Sequence, residues 1–252
     1  MRIRGYADGT PCWTRLHTTD PGAVAGFYQG LFGWELDDGL FRRGEPVVAG
    51  VVAGPGPAAG WLPYLAAADL GTLADRVVDG GGTVVSPPAA EGTRGRAALF
   101  RDPGGAPFGA WQRGTLAGAQ IGGEPGTISW SVLATRDEPG AERFYGKVFG
   151  WTAQRSGLAP DRGYREWQAG DRVVAGLAPP NPPTMHPGRW QWHSTVEVVE
   201  IAETVQRCLD LGGQVAQGPL NLLVGRYTRL QDPLGAPVGV IELIPELRGR
   251  TG

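Results

Sequence analysis

Apolar residues recur at Val24, Phe27, Tyr28 and Leu31, and again at Ala141, Phe144, Tyr145 and Val148. Each set steps by three or four, which draws one apolar stripe along an α-helix that must lie on something. A short alternating segment, read as a strand, precedes each helix. Asp20 and Asp137 suit the capping position, Pro21 suits the first helical turn, and Gly33 and Gly150 can take the positive φ that ends a helix. The two stretches are copies of one another. Residues 14–34 read TRLHTTDPGAVAGFYQGLFGW and residues 131–151 read SVLATRDEPGAERFYGKVFGW, so that a spacing of 117 (137 minus 20) lays Asp20 on Asp137 and Phe32-Gly33-Trp34 on Phe149-Gly150-Trp151. A repeat this long indicates two homologous domains rather than a solenoid of short units.

The rest of the pattern fills in each copy. After a polar, loose segment 1–10, a strand is expected at 11–18, then the first helix. Short strands follow in WELDDG, LFRRGE and PVVAGVVAG, with a Gly/Pro/Ala connector at 53–60. A second round starts at WLPYLAAADL. Its helix over 70–79 carries Leu70, Leu73, Ala74 and Val77 on one face and stops at Gly80-Gly81-Gly82. Strands in TVVSPP and RAALFRDPGGAPFGAWQ complete it, turning at Asp102-Pro103-Gly104-Gly105. One half therefore reads βαβββ-βαβββ. After a Gly-rich linker the order repeats, with helices over 138–148 and 201–211, strands near 151–155, 163–169 and 172–178, and a Pro-rich connector at 179–188. The expected domains are 10–113 and 127–245, joined by linker 114–126, in an α+β chain. The loop at 156–163 exceeds its counterpart and can reshape the mouth of a cleft.

Composition narrows the class. The 252 residues include 42 Gly and 22 Pro, which suits short elements and tight turns. A net charge of −2 without long runs of either sign argues against nucleic acid and anionic membrane as partners. Lys147 is the sole lysine, and nearly all positive charge is Arg, which reads as a GC-rich genome. Cys12 and Cys208 are too few for a disulfide framework, and no N-terminal signal or apolar span is evident, so the expectation is a soluble protein of the reducing cytoplasm. Cys208 falls in a helical stripe and is read as core.

The segments FY…LFGW at 27–34 and 144–151, DLGTLADRVVDGGGTVV with RDPGGAPFGAW, and EIAETVQRCLDLGGQVA with QDPLGAPVGVIEL together resemble the vicinal oxygen chelate superfamily, which includes glyoxalase I, bleomycin-resistance proteins and extradiol dioxygenases. The resemblance covers about 10–245, and the tandem arrangement, with Trp13 after Pro11-Cys12 and Trp111-Gln112 after the last strand, resembles an actinobacterial subgroup often labelled "hydroxylase", a label that is not evidence of chemistry. It implies paired βαβββ modules forming two cup-shaped incomplete β-barrels, each over a small-molecule site. In metal-using members, His, Gln or Glu stands at one position on the first and last strand of each module. Here those positions fall on Trp13, Gly50, Leu62 and Gly109, then on Trp130, Gly176, His193 and Gly239. Only His193 can ligate, whereas a catalytic metal needs about three protein ligands, so no metal and no other cofactor is expected.

Strand alternation places Trp13, Arg15 and His17, then Leu62, Tyr64 and Ala66, with Trp111, on the face of the first cup. The second cup receives Trp130, Val132 and Ala134, then His193, Thr195 and Glu197. Leu16, Leu133, Val196 and Val198 face outward and suit a helix-covered side. Arg15, His17 and Tyr64 combine an anion or carbonyl holder, a group titrating near neutral pH and a phenolic donor. His193 and Glu197 share a face, about 13 Å apart at the backbone, and a carboxylate near His193 would raise its pKa. Glycines at the former ligand positions would let a flat ligand approach the backbone.

Blander readings stand beside these. His17 can be a rim residue, His193 a packed core group beside Trp190 and Trp192, and Glu197 a structural partner of Arg226 or Arg229. Trp34 and Trp151 suit packing between domains, His186 a surface loop, and Asp102 and Asp232 turn chemistry alone. Trp13, Trp111, Trp130 and Thr195 are candidate ligand contacts. The functional expectation is a metal-independent acid/base enzyme of isomerase, lyase or cyclase type, acting on a small ring- or carbonyl-containing molecule of specialised metabolism. The alternative is a resistance protein that sequesters an aromatic or antibiotic-like ligand. The unlike cups point to one working site, with the first favoured. The fused halves suggest a monomer with pseudo-twofold symmetry.

Overall fold

The computed structural model describes residues 1–54, 60–157, 163–179 and 191–249. The first half comprises β1 (Pro11–Thr18), α1 (Pro21–Phe32), β2 (Glu35–Asp37), β3 (Leu40–Arg42), β4 (Val47–Ala53), β5 (Gly60–Ala66), α2 (Leu70–Asp79), β6 (Thr83–Glu91), β7 (Gly95–Arg101) and β8 (Pro107–Arg113). The second half repeats the order: β9 (Ile128–Ala134), α3 (Glu138–Phe149), β10 (Trp151–Arg155), β11 (Arg165–Ala169), β12 (Arg172–Ala178), β13 (Gln191–Glu197), α4 (Ile201–Asp210), β14 (Gln214–Leu222), β15 (Gly225–Gln231) and β16 (Pro237–Leu243). Each half is one open eight-stranded sheet, ordered β2-β3-β4-β1-β5-β8-β7-β6 and β10-β11-β12-β9-β13-β16-β15-β14. First strands of paired modules run antiparallel at the centre, as β1 with β5 and β9 with β13, while first and last strands of one module run parallel. The α+β class and the tandem βαβββ modules match the pattern of the sequence.

The expected caps form. The side chains of Asp20 and Asp137 accept from Ala23 N–H and Gly140 N–H, and Gly33 and Gly150 end their helices at φ 72°. In both halves the helix-covered sheet face looks toward the other half. Leu16, Val24, Phe27, Tyr28 and Trp34 of the first module pack with Val196, Ile201, Cys208 and Val240 of the fourth. Leu65, Leu70, Phe100 and Phe108 of the second module pack with Leu133, Phe144, Tyr145 and Trp151 of the third. Burying these two clusters is the main apolar driving force holding the halves together. Trp34 and Trp151 are interdomain residues, and the Trp151 indole N–H donates to the Gly9 carbonyl across the junction.

Two sequence expectations need correction. Segment 1–10 is tied down rather than loose. The N-terminal ammonium bonds the Gly122 carbonyl and Glu124, Ile3 N–H donates to Gln120 O, and the Tyr6 hydroxyl to Ala119 O. Asp102 and Asp232 also do more than shape turns. Trp61 Nε1–H donates to the Tyr28 hydroxyl, which donates to Asp232 Oδ2 at 3.0 Å; Trp192 Nε1–H donates to the Tyr145 hydroxyl, which donates to Asp102 Oδ2 at 3.1 Å. Each chain of bonds crosses from one half to the other inside an apolar junction, where burial pushes both aspartates above their ordinary pKa. Tyr28→Phe leaves the Trp61 N–H without its acceptor and Asp232 short of a donor, and is expected to cost about 2 kcal/mol in urea denaturation. An unchanged midpoint would show that these bonds contribute nothing.

Candidate functional site

The residues expected in the first cup do come together, but around one another. Trp13, Leu62, Tyr64 and Trp111 are all buried, with Trp13 and Trp111 ring centroids 4.9 Å apart. The Arg15 guanidinium carbon sits 5.1, 5.0 and 5.8 Å from the Trp13, Tyr64 and Trp111 rings, a threefold cation–π contact. Glu91, brought in from β6, takes Arg15 in a bidentate pair at 2.7 and 3.0 Å. The anion holder of the sequence reading thus already holds an anion. His17 Nε2 and the Tyr64 hydroxyl share a hydrogen bond of 3.1 Å. Burial, then the Arg15 charge, lowers the His17 pKa to about 4, so it does not titrate near neutrality as expected, and burial pushes Tyr64 up to about 12.

The second cup differs row by row. Across the first sheet, register aligns Trp13, Tyr64, Gly109, Leu99 and Ser86. The same row of the second sheet reads Trp130, Thr195, Gly239, Arg229 and Gln217. Polar groups replace the plug, and Trp130, Val132 and His193 are half-buried where Trp13, Arg15 and Leu62 are sealed. Trp130 Nε1–H donates to the Tyr164 hydroxyl at 2.7 Å. His193 pairs across strands with Val132, and its Nε2 is shielded from water without a partner. Burial, then the Arg229 charge, lowers its pKa to about 3, opposite in direction to what a neighbouring carboxylate would do. An unpartnered buried nitrogen of this kind costs about 1–3 kcal/mol.

Glu197 is separate from His193. It lies at the end of β13 beside the linker, its backbone N–H donating to Thr127 O and its carbonyl accepting from Gly126 N–H. The residue is 1 % exposed and neither carboxylate oxygen is hydrogen-bonded, and burial raises its pKa, against the opposing pull of Arg248 and with a push from Glu124. The opposing positive charge comes from Arg248, where the sequence offers Arg226 or Arg229 as the partner. His186 and Trp190 lie outside the described residues.

A family model for a glyoxalase-like domain matches residues 13–110 and again 130–241. The chain belongs to the glyoxalase-like family. It carries two such domains, within the vicinal oxygen chelate superfamily. A Mycobacterium tuberculosis protein with the provisional name glyoxylase CFP32 is 36 % identical over 258 residues, covering 96 % of this chain and 97 % of its own length. The anthracycline biosynthesis protein DnrV of Streptomyces peucetius is 34 % identical over 271 residues, covering 94 % of each. Two solved structures share the fold: the Mn(II)-bound glyoxalase of Novosphingobium aromaticivorans (TM-score 0.63, 16 % identity, 98 % and 92 % coverage) and the 2,3-dioxygenase LapB of Pseudomonas sp. KL28 (0.62, 15 %, 95 % and 96 %).

The metal that such folds hold does not fit the residues here. Of eight ligand positions only His193 offers a donor, and no group of three or more His, Cys, Asp or Glu able to hold an ion occurs among the described residues. Neighbouring side chains fill the space at these glycines, so neither an ion nor a flat ligand lies against the backbone there. A Cβ on Gly109 would stand 2.5 Å from the Tyr64 ring, and one on Gly50 2.9 Å from the Arg15 side chain. At Gly176 it would collide with the Tyr164 hydroxyl, and at Gly239 it would meet Thr195 and Tyr227 within 3 Å. Tyr164, Tyr227 and Gln217 escaped sequence reasoning, and Arg229 entered it only as a possible partner of Glu197, not as a site residue. Only the cross-strand register of β15 and the uncounted cup face of β14 could have indicated Arg229 and Gln217.

Proposed function

We propose that this glyoxalase-like protein works through its second cup, which takes a small ring- and carbonyl-containing organic molecule and moves a proton on it without a metal ion. The supporting observation is His193, on the cup face of β13 by strand register, whose buried Nε2 has no hydrogen-bond partner, while the first cup is filled by Arg15 and its aromatic cage. The lowered pKa of His193 keeps the imidazole neutral. A neutral imidazole can hold a substrate carbonyl by hydrogen bond or take a proton from an acidic hydroxyl or α-carbon, and the nearby Arg229 charge favours the oxyanion that results. Trp130 and Tyr164 offer aromatic edges for the ring, and Thr195 a hydroxyl beside it. The relative named for anthracycline biosynthesis supports polycyclic, carbonyl-bearing substrates and a place in specialised metabolism. The first cup then serves as scaffold. The fused halves, docked through α1–α4 and α2–α3, support a monomer, and light scattering should return a mass near 26.6 kDa. A mass near twice that would count against it. Two buried free thiols, Cys12 and Cys208, suit a reducing cytoplasm. No helix among the described residues is long and apolar enough to cross a membrane.

Sequestration without turnover is the second reading, favoured by the low His193 pKa, which makes the imidazole a weak base. Deuterium exchange at the activated carbon of 2-tetralone in D2O separates the two. The enzyme reading expects exchange above buffer that falls 10²–10⁴-fold in His193→Ala and stays within about threefold in His17→Gln. Binding of 2-tetralone without any exchange would establish sequestration instead. Loss of exchange in His17→Gln with His193→Ala unaffected would move the site to the first cup.

A further inference from the structure

Gln217 stands at the far end of the polar row that begins at Trp130, opposite Arg229 across β14 and β15. Register shifts interrupt the ladder on both sides of it, between Val215 and Gln217 and between Gln217 and Leu220. Bulges bend a strand and re-aim the side chain they flank. The backbone there is pinned, because the Thr228 hydroxyl donates to the Gln217 carbonyl at 2.5 Å. Pairing with Arg229, whose neighbours Thr228 and Leu230 are buried on the helix-covered side, puts the Gln217 side chain on the cup face. It is 8 % exposed, and neither its amide oxygen nor its amide nitrogen has a hydrogen-bond partner. A folded chain can relieve such a penalty by placing an apolar residue there, or a short one, as at the equivalent Ser86 of the first cup. A retained donor and acceptor, held by a fixed backbone and aimed into a cup, is what a ligand's polar edge would complete.

Building on the second cup as the binding site, we propose that Gln217 is a ligand-binding residue that selects ring compounds bearing a free hydroxyl. The amide oxygen accepts from that hydroxyl, and the amide N–H donates to it or to a neighbouring ring carbonyl. Charged groups would gain little from a neutral amide, so the selected edge is a phenol or hydroxyquinone rather than a phosphate. Discrimination follows from the site, since an analogue lacking the hydroxyl leaves the buried amide unpaired.

The test compares 2-hydroxyanthraquinone, below its phenolic pKa, with unsubstituted 9,10-anthraquinone by quenching of tryptophan fluorescence. Wild type should bind the hydroxylated quinone about tenfold more tightly, the effect of one net hydrogen bond of about 1.4 kcal/mol. Gln217→Met, of similar length without donor or acceptor, should reduce that ratio to about 1 while its ligand-free melting temperature equals or exceeds wild type. A variant that keeps the tenfold preference overturns the role of Gln217, as does a wild type that binds both quinones equally, and in either case the cup survives as a binding site. If neither quinone quenches wild type, the reading of the second cup itself falls, and this proposal with it.

Discussion

Gly109→His, which restores a metal-ligand side chain at the last strand of the first cup, is expected to destabilise the protein severely rather than create a metal site. The first atom of any side chain there would lie 2.5 Å from the Tyr64 ring. That ring cannot retreat: it is 1 % exposed, bonded to His17, and packed against Arg15 and Trp13. Overpacking a core typically costs about 1–3 kcal/mol and sometimes more, and a rigid aromatic opponent places this change at the upper end. Gly109→Ala should already cost about 3 kcal/mol in urea denaturation. The converse, Arg15→Ala, should open a cavity rather than a site, because the cage it leaves is apolar and Glu91 loses its partner. A Gly109→His variant as stable as wild type that binds Mn(II) stoichiometrically would show that the first cup is a dormant metal site.

Acid should weaken the fold through its histidines. In the unfolded chain His17 protonates near 6.5, but in the folded protein only near about 4, because burial and Arg15 disfavour its charged form. Between those values the unfolded state binds more protons, so stability rises with pH and is lost as pH falls. The difference corresponds to about 3 kcal/mol, fully present above pH 6.5 and lost by about pH 4. His193 acts in the same direction, with its loss extending toward pH 3, though partial exposure of its ring softens the effect. Asp102, Asp232 and Glu197 act oppositely, since their raised values favour the protonated folded state as pH falls. Subtracting the His17→Gln profile from wild type isolates the histidine. The difference in unfolding free energy between pH 7 and pH 4 should be about 3 kcal/mol, and a flat difference would place His17 in a solvated setting.

The repeat, the helix stripes, the capping aspartates and the glycine stops were legible because each depends on residues within one turn or strand. Outward Leu16, Leu133, Val196 and Val198 gave the cup register for the same reason. What stayed hidden depends on distant segments. Glu91 reaches Arg15 only because β6 and β1 lie on opposite walls of one curled sheet, and nothing in the local sequence of either announces the pair. Asp232 looks like a turn residue until α1 of the other half delivers Tyr28 to it. The histidine pKa values were misjudged because desolvation, the leading cause for both, is a property of burial that alternation alone does not measure. Gln217 was invisible because two bulges break the period by which β14 would have been read.

The central claim, that the second cup receives the ligand while the first is filled by its own side chains, is tested most directly by nitrogen NMR of the histidine rings. The chain has three histidines, and His17→Gln and His193→Ala assign the two that matter. Titration with 2-tetralone should shift His193 Nε2 saturably, since that nitrogen acquires its first hydrogen-bond partner, and leave the His17 resonances in place. A saturable shift at His17 with His193 unmoved would contradict the account.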